Sequence, residues 1–261
     1  MNGCVRVAAV WLVVVSGLLG GCASQVRFPA LAENVTLSGD LRRPDRGGAL
    51  PAVVLLAPCG GVTTHMGEWA RWLNDQGYVT LVVDSFSPRR SFNACRGGPP
   101  TVPQVAQDAD DALRYLKTLP FVDGRRVVAM GWSHGGGAAL EASSRAAVAQ
   151  SGAGERAGFR AVVAFYPPCW FLSVRTRTPT LVLVGALDDW TPAGQCVAIG
   201  ESARQLDAPV SWQVYPNAPH AFDRPDATPY LGHAMWYDRE AALAAREAVR
   251  KYLSEQLQGE P

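Results

Sequence analysis

The sequence predicts an α/β domain whose mainly parallel sheet is covered by helices on both faces. Short continuous runs of Val, Leu and Ala alternate with helical segments along the chain, which is typical of strands buried on both faces. The length of 261 residues suits one large domain with a sizeable core. A Gly-x-Ser-x-Gly segment at residues 131–135 joins one of these strands to a helix. Neither an internal repeat nor a linker to a second domain is evident.

The predicted elements begin with an edge strand at residues 33–41. Val35, Leu37 and Leu41 are spaced by multiples of two, as in a strand exposed on one face. The other predicted strands are residues 52–56, 79–83, 126–130, 161–165, 180–184 and 210–214. The predicted helices are residues 66–76, 104–119, 134–149, 193–206 and 238–256. The short gap between residues 165 and 180 predicts an open site without a large cap domain.

The N-terminal segment has the features of an export signal. Arg6 precedes an apolar run that is shorter than a membrane-spanning helix requires. This run ends in Leu-Gly-Gly-Cys at Cys22, which resembles a lipobox. We therefore expect residues 1–21 to be a lipoprotein signal peptide, Cys22 to be lipidated, residues 22–32 to be a tether and residues 33–261 to be the folded domain. Ala23, rather than Asp, follows Cys22, which resembles the pattern that sorts lipoproteins to the outer membrane. We therefore expect the protein to be anchored there and to face the periplasm. The alternative is an ordinary secretory signal cleaved near Ala23.

Four cysteines remain beyond this segment, an even number in a chain expected to reach an oxidising compartment. Three pairings are open, and four free thiols are the alternative. Cys59 follows one predicted strand and Cys95 lies after the next, and Cys169 and Cys196 are related in the same way. We favour the disulfides Cys59–Cys95 and Cys169–Cys196. No cysteine pair has the spacing of a zinc site.

The charge balance excludes several kinds of partner. The formal net charge is +1, with 24 basic and 23 acidic side chains. This balance gives no case for binding nucleic acid or an acidic surface. The membrane is expected to be a partner only through the N-terminal lipid anchor.

Ser133 is the candidate nucleophile. It occupies the centre of a strand–turn–helix segment that matches the nucleophile elbow of α/β-hydrolases. Glycines two residues to either side remove side chains that would collide with the neighbouring strand and helix. The turn also directs backbone N–H groups at the helix N-terminus towards developing negative charge.

An acid and a base follow Ser133 in the order that this type of hydrolase uses. Asp188 and Asp189 follow the strand at residues 180–184, where the triad acid belongs. The Gly-x-x-Asp turn, with Pro192 four residues later, resembles the usual acid turn of this type of hydrolase and so favours Asp188. Asp189 has the alternative role of a solvated loop charge or helix N-cap. His220 is the one histidine of four in the loop after the last strand, which makes it the candidate base.

The chain resembles the dienelactone hydrolase family of α/β-hydrolases from about residue 35 to its C-terminus. The segments that carry the resemblance are residues 51–55, Cys59-Gly60-Gly61, Gly77-Tyr78, residues 83–86, the elbow, Tyr166-Pro167, the acid turn and residues 220–223. The resemblance implies an oxyanion hole formed by the backbone N–H groups of His134 and of a residue in the loop after residues 52–56. Pro58 has no N–H to donate, so Cys59 is the favoured donor and Gly60 is the alternative. It also suggests Arg89 and Arg90 as binders of a substrate carboxylate, with a solvated loop as the alternative. Trp132 and Trp190 are further candidate substrate-binding residues.

Two departures from the family pattern direct the functional prediction. The namesake enzymes have a cysteine nucleophile and a glutamate in the oxyanion loop, and this chain has Ser133 and no glutamate there. We therefore expect a serine hydrolase of carboxylic esters or lactones that uses a small-molecule substrate and requires no metal or organic cofactor. The alternatives are a serine peptidase or acyltransferase with the same triad and a non-catalytic envelope lipoprotein.

Overall fold

The computed structural model describes residues 23–149 and 158–257. The predicted signal peptide at residues 1–21 and the predicted lipidation site at Cys22 lie outside these residues. In the described part of the chain, no helix is both long and apolar enough to cross a bilayer.

Eight strands form one sheet in the order β1-β2-β4-β3-β5-β6-β7-β8. The strands β3 to β8 run parallel to one another, and β2 pairs antiparallel with both β1 and β4. The prediction of a mainly parallel sheet is confirmed. The strands are β1 Ser24–Ala30, β2 Val35–Arg42, β3 Leu50–Leu56, β4 Val79–Asp84, β5 Val122–Trp132, β6 Ala161–Phe165, β7 Thr180–Gly185 and β8 Val210–Tyr215.

Helices cover both faces of this sheet, as the sequence predicts. They are α1 Thr64–Asp75, α2 Val102–Lys117, α3 His134–Ala149, α4 Ala193–Gln205 and α5 Arg239–Leu257. The alternation of β3 shows how the core divides, since successive side chains of a strand point to opposite faces. Ala52, Val54 and Leu56 pack in the layer that contains residues of α2, α3 and α4. Val53 and Leu55 pack in the layer that contains residues of α1 and α5.

The N-terminal end of the described chain corrects two predictions. Residues 24–30, expected to belong to a tether, form β1 and pair with β2 along its length. The segment expected to be the edge strand is therefore the second strand, β2. Phe28 supplies the physical reason, because it is buried and stacks on Tyr115 of α2 with ring centroids 5.1 Å apart. The alternation of Val26, Phe28 and Ala30 was the sequence signal for this strand.

The parallel strands end at one edge of the sheet, and the candidate site residues follow them there. Cys59 comes after β3, Ser133 after β5, Asp188 after β7 and His220 after β8. Ligands of open α/β sheets bind at this carboxyl edge. The connection from β6 to β7 contains only a short 3₁₀ turn, Cys169–Phe171, so no large cap is inserted at this fully described connection. A disulfide joins Cys169 in this turn to Cys196 of α4, the pairing that the sequence favours.

Candidate active site

Ser133 lies on a strained turn between β5 and α3. Its φ is +52°, and its backbone N–H donates to the carbonyl of Phe165 at 2.9 Å. The flanking glycines have no room for a side chain. A Cβ at Gly131 would lie 2.1 Å from the carbonyl oxygen of Gly135, and a Cβ at Gly135 would lie 2.2 Å from that of Leu56. The turn can therefore form only with glycine at both positions, and such strain is typical of functional sites.

Ser133, His220 and Asp188 form a continuous hydrogen-bonded row. His220 Nε2 lies 2.9 Å from Ser133 Oγ, and His220 Nδ1 lies 2.8 Å from Asp188 Oδ2. A neutral ring protonated at Nδ1 satisfies both contacts, because Nδ1–H donates to the carboxylate and Nε2 accepts from the hydroxyl. All three side chains are buried. This arrangement can remove the proton from a serine hydroxyl during nucleophilic attack.

The two adjacent aspartates of the acid turn have different partners. Asp188 Oδ1 accepts from the backbone N–H groups of Trp190 and Thr191 at 2.9 and 2.8 Å, and the Thr191 hydroxyl lies 2.9 Å from Oδ2. Asp189 is turned away, where it accepts from the N–H of Ala234 at 3.1 Å. The geometry therefore places Asp188, the aspartate that the sequence favours, behind the histidine.

The loop after β3 is tied to the connection between β4 and α2. Cys59 forms a disulfide with Cys95, as the sequence favours, and the Cys59 carbonyl accepts from the N–H of Ala94 at 2.8 Å. Among the described residues, no carbonyl or side chain accepts from the backbone N–H of Cys59 or His134. Both predicted oxyanion donors thus keep an N–H that is not used within the described chain.

The His134 ring is held away from the nucleophile. Its Nε2 lies 2.9 Å from the carbonyl oxygen of Pro100. Burial lowers the pKa of the ring, and the hydrogen bond to Pro100 only partly opposes this effect, so the ring is a neutral donor to Pro100. The ring is therefore occupied by Pro100, whereas no acceptor among the described residues uses the backbone N–H of His134.

The candidate triad opens into a cavity of about 270 Å³. Six of the residues favoured from the sequence line it: Cys59, Cys95, Trp132, Ser133, Trp190 and His220. Asp188 lies behind His220. The lining residues to which the sequence assigned no role in the site include His65, Asn93, Tyr166, Arg224, Asp226, Tyr230 and Met235. Within the described chain, no group of three or more His, Cys, Asp or Glu is arranged to hold a metal ion.

Arg89 and Arg90 are not brought into this cavity, which corrects the expectation that they bind a substrate carboxylate. The Arg89 guanidinium is buried and donates to both oxygens of Asp108 at 2.7 and 2.9 Å. It also donates to Glu33 at 2.9 Å. Arg90 is exposed and lies outside the cavity lining. Arg89 instead ties the segment after β4 to α2 and to the turn between β1 and β2.

Asp223 is a buried carboxylate at the base of the site that sequence reasoning did not identify. Its Oδ2 lies 2.8 Å from His65 Nε2 and accepts from the indole N–H groups of Trp69 and Trp132 at 3.0 and 3.1 Å. Its Oδ1 accepts from the Tyr166 hydroxyl at 2.8 Å. This carboxylate connects the loop that carries His220 with α1, β5 and the end of β6. The position of Asp223 three residues after His220 was the available sequence signal.

The protonation states in this cluster follow from its contacts. Burial by itself would raise the pKa of Asp223, but His65 and the hydrogen bonds from Tyr166 and Trp132 bring it below the ordinary value. Burial and the neighbouring Asp223 carboxylate raise the pKa of Tyr166 well above its ordinary value. Asp223 is therefore an ionised acceptor, and Tyr166 is a neutral donor.

Comparison with known proteins agrees with this fold. The family model described as "Dienelactone hydrolase family" matches residues 37–257. A Bradyrhizobium protein named "Probable 2-oxo-3-(5-oxofuran-2-ylidene)propanoate lactonase" is 27% identical over 222 residues, which are 80% of this chain and 84% of that protein.

Solved structures with the same fold include two kinds of hydrolase. A dienelactone hydrolase-like promiscuous phosphotriesterase from metagenomic libraries is 24% identical, with a TM-score of 0.74 over 90% of this chain and 98% of the other. The propionate-bound esterase 2 of Thermogutta terrifontis is 17% identical, with a TM-score of 0.68 over 92% of this chain and 97% of the other.

Proposed function

This chain belongs to the dienelactone hydrolase family, and from that premise we propose that it hydrolyses carboxylic esters or lactones through Ser133, His220 and Asp188. The observation that carries the proposal is the row of hydrogen bonds from Ser133 Oγ through His220 to Asp188, at 2.9 and 2.8 Å, beside a cavity of about 270 Å³. The names of the Bradyrhizobium lactonase and the Thermogutta esterase support this substrate class.

Acylation begins when His220 Nε2 takes the proton of the Ser133 hydroxyl. Ser133 Oγ then bonds to the carbonyl carbon of the substrate, and the carbonyl oxygen becomes an oxyanion. The Asp188 carboxylate stabilises the imidazolium that forms and holds the ring in the correct orientation. The protonated His220 gives its proton to the leaving alkoxide as the carbon–oxygen bond breaks.

The backbone N–H groups of Cys59 and His134 are the proposed donors to the oxyanion. Neither is used by an acceptor in the described chain, and His134 is the first residue of α3, where N–H groups have no partner within the helix. A donor of this kind contributes about 3–4 kcal/mol to the transition state.

Deacylation uses the same groups in reverse order. His220 takes a proton from a water molecule, whose oxygen attacks the acyl carbon of the ester formed with Ser133. The tetrahedral intermediate collapses, Ser133 recovers its proton from His220, and the carboxylic acid leaves. A lactone follows the same steps and gives a hydroxy acid.

The proposal is tested by the hydrolysis of p-nitrophenyl acetate. We expect Ser133→Ala to lower kcat/KM by about ten-thousand-fold or more, with an unchanged thermal midpoint. Ser202→Ala is the matched control, since Ser202 is an exposed serine of α4, and it should retain full activity. An activity of Ser133→Ala comparable to that of the wild type would contradict the proposal. Cleavage of peptide anilides at a rate similar to that of esters would favour a peptidase instead.

The open edge of the sheet supports a preference for short acyl chains. The β6–β7 connection carries only the 3₁₀ turn Cys169–Phe171, so this connection provides no cap with an apolar surface for a long chain. We expect kcat/KM to be higher for p-nitrophenyl acetate than for the dodecanoate ester. A higher value for the dodecanoate ester would overturn this preference.

We also propose that the protein is exported and held at a bacterial membrane by a lipid on Cys22, facing the periplasm. The lipobox-like sequence before Cys22 supports this location. The disulfides Cys59–Cys95 and Cys169–Cys196 also support it, because such bonds persist in oxidising compartments. Cys22→Ala should move the protein from the membrane fraction to the soluble fraction. Retention of this variant in the membrane fraction would argue against a lipid anchor.

A further inference from the structure

The basic side chains that line the described cavity are all paired with carboxylates. They are His65, His220 and Arg224. His65 lies 2.8 Å from Asp223 and His220 lies 2.8 Å from Asp188. The third pair, Arg224 with Asp226, differs from these two because both of its members line the cavity.

Asp226 occupies the edge of the Arg224 guanidinium that would otherwise bind an anion. Arg224 Nε donates to Asp226 Oδ1 at 2.8 Å, and Nη2 donates to Oδ2 at 2.9 Å. This two-bond contact is the geometry in which arginine recognises a substrate carboxylate. An anionic substrate that uses this edge of the guanidinium has to displace Asp226, and it approaches a region that also contains the buried Asp223 carboxylate.

Four aromatic side chains also line the cavity. Trp190 lies beside the base, with its ring centroid 5.1 Å from that of His220, and it stacks on His233 at 4.5 Å with an interplanar angle of 12°. Tyr230 follows at 6.2 Å from Trp190, and its hydroxyl accepts from the Asn93 amide at 2.9 Å. Trp132 and Tyr166 line the deeper part of the cavity. Rings held in place on several sides are suited to stacking on a planar group.

We infer that the site selects uncharged esters or lactones that carry an aromatic ring near the scissile bond, with Asp226 excluding anionic substrates and Trp190 contacting the ring. This inference rests on the proposed function and specifies its substrate class. Asp226 acts by occupying Arg224, so its removal should admit a negatively charged substrate. Trp190 acts by direct contact, so its removal should abolish the preference for a planar ring.

The test compares acetate esters whose alcohols have similar reactivity. Benzyl acetate and cyclohexylmethyl acetate differ in the planarity of the ring, and 4-carboxybenzyl acetate adds a charge. Methyl phenylacetate and methyl cyclohexylacetate place the same two rings on the acyl side. The release of acid is measured at constant pH for the full protein and its variants.

For the wild type we expect kcat/KM to be about fivefold higher for the aromatic member of at least one pair. We expect it to be about tenfold lower for 4-carboxybenzyl acetate than for benzyl acetate. Asp226→Asn should narrow this charge discrimination, and Trp190→Leu should bring the ratio between the aromatic and cyclohexyl esters close to one. Glu247→Gln is the matched control, because it breaks an exposed ion pair with Arg250 on α5, and it should leave both ratios unchanged.

The outcomes separate this inference from the proposed function. The inference is overturned, and the ester hydrolase retained, if hydrolysis depends on Ser133 but is faster for 4-carboxybenzyl acetate than for benzyl acetate. The same holds if Asp226→Asn leaves the kcat/KM ratio of these two esters unchanged. A wild-type protein that hydrolyses none of these esters or p-nitrophenyl acetate overturns both.

Discussion

Two histidines of the site contact buried carboxylates, but their ring nitrogens are used differently. In His220, Nδ1 faces Asp188 and Nε2 faces Ser133, so the ring can pass a proton between the nucleophile and the substrate. In His65, Nε2 lies 2.8 Å from Asp223 and donates to this ionised carboxylate, which also accepts from the indole N–H of Trp69 at 3.0 Å. The nitrogen of His65 that corresponds to the reactive nitrogen of His220 is therefore committed to structure. The direction of each ring, rather than the presence of a carboxylate, distinguishes the candidate base His220 from His65, which has a structural contact at the same nitrogen.

The acid turn, with Asp188 and Asp189, provides the first test at the scale of single residues. Asp188→Asn should lower kcat by about ten-thousand-fold, because an amide would favour the wrong tautomer of His220. Asp189→Asn is the adjacent control and should stay within about fivefold of the wild type, since it loses only exposed contacts. Both values are measured with p-nitrophenyl acetate. The assignment of Asp188 would be wrong if the Asp189 variant showed the larger loss.

Asp223 predicts how stability depends on pH. Its pKa in the folded protein is lowered, so the carboxylate stabilises the fold above its unfolded pKa of about 3.9, and this contribution is lost as the pH falls through the folded value. Asp223→Asn should therefore lower the free energy of unfolding by about 3 kcal/mol at neutral pH, and the difference should shrink in acid.

Urea unfolding at a series of pH values measures this effect. Asp75→Asn, a change at an exposed aspartate of α1, is the control and should alter stability by less than about 0.5 kcal/mol. Wild-type and Asp223→Asn curves that remain parallel down to pH values of about 2 would contradict the account of Asp223.

At the residue scale, the sequence predicted the groups that follow strand ends and not the groups whose partners are remote. Ser133, Asp188 and His220 each come directly after a recognisable strand, so the order of elements was enough to place them together. Asp223 meets His65 across 158 residues, and Arg89 meets Glu33 across 56. Neither contact follows from local pattern, which is why Asp223 was missed and Arg89 was assigned to substrate.

Among the connections between elements, residues 85–101 between β4 and α2 link three parts of the site. Cys95 is bonded to Cys59 in the loop after β3. Asn93 donates to the Tyr230 hydroxyl at 2.9 Å, and the carbonyl of Pro100 contacts the ring of His134 at 2.9 Å. The sequence of this long connection shows no periodic pattern, and only Cys95, through its predicted bond to Cys59, indicated where the connection lies. It acts as a clamp that holds the predicted oxyanion loop against the nucleophile.

Opening the disulfide of this connection should affect catalysis as well as stability. We expect the double variant Cys59→Ser, Cys95→Ser to lower kcat by about tenfold or more, because small displacements of an oxyanion donor are costly. The double variant Cys169→Ser, Cys196→Ser is the matched control. It should lower the thermal midpoint, as the loss of a native disulfide does, while kcat at a temperature below unfolding is unchanged. Equal effects of the two double variants on kcat would refute the clamp.

At the scale of the whole molecule, the β1 side of the sheet has a structural role, and the carboxyl ends of the parallel strands carry the candidate site. Strands β1 and β2 run antiparallel on that side. They are connected to the rest of the protein by the stacking of Phe28 on Tyr115 and by the ion pair of Glu33 with Arg89. The alternating strands and helices made the parallel part of the sheet predictable. The strand β1 was not predicted because it lies next to the expected signal peptide, where a tether was the simpler interpretation.

Removal of β1 tests this role. A chain that begins at Glu33 should be less stable than one that begins at Ala23 by about 3 kcal/mol or more, because the burial of Phe28 and the pairing with β2 are lost. The two chains are compared by urea unfolding, with residual esterase activity as a check that the shorter one still folds. Identical free energies of unfolding would show that β1 is dispensable.

The central claim is that Ser133 is the nucleophile, and the most direct measurement is active-site labelling with a fluorophosphonate followed by mass spectrometry of the protein and its peptides. We predict one adduct per chain, located on the peptide that contains Ser133. The adduct should be absent in Ser133→Ala and should form much more slowly in His220→Ala. A wild-type protein that takes up no label, or a Ser133→Ala variant labelled as fully as the wild type, would contradict the account.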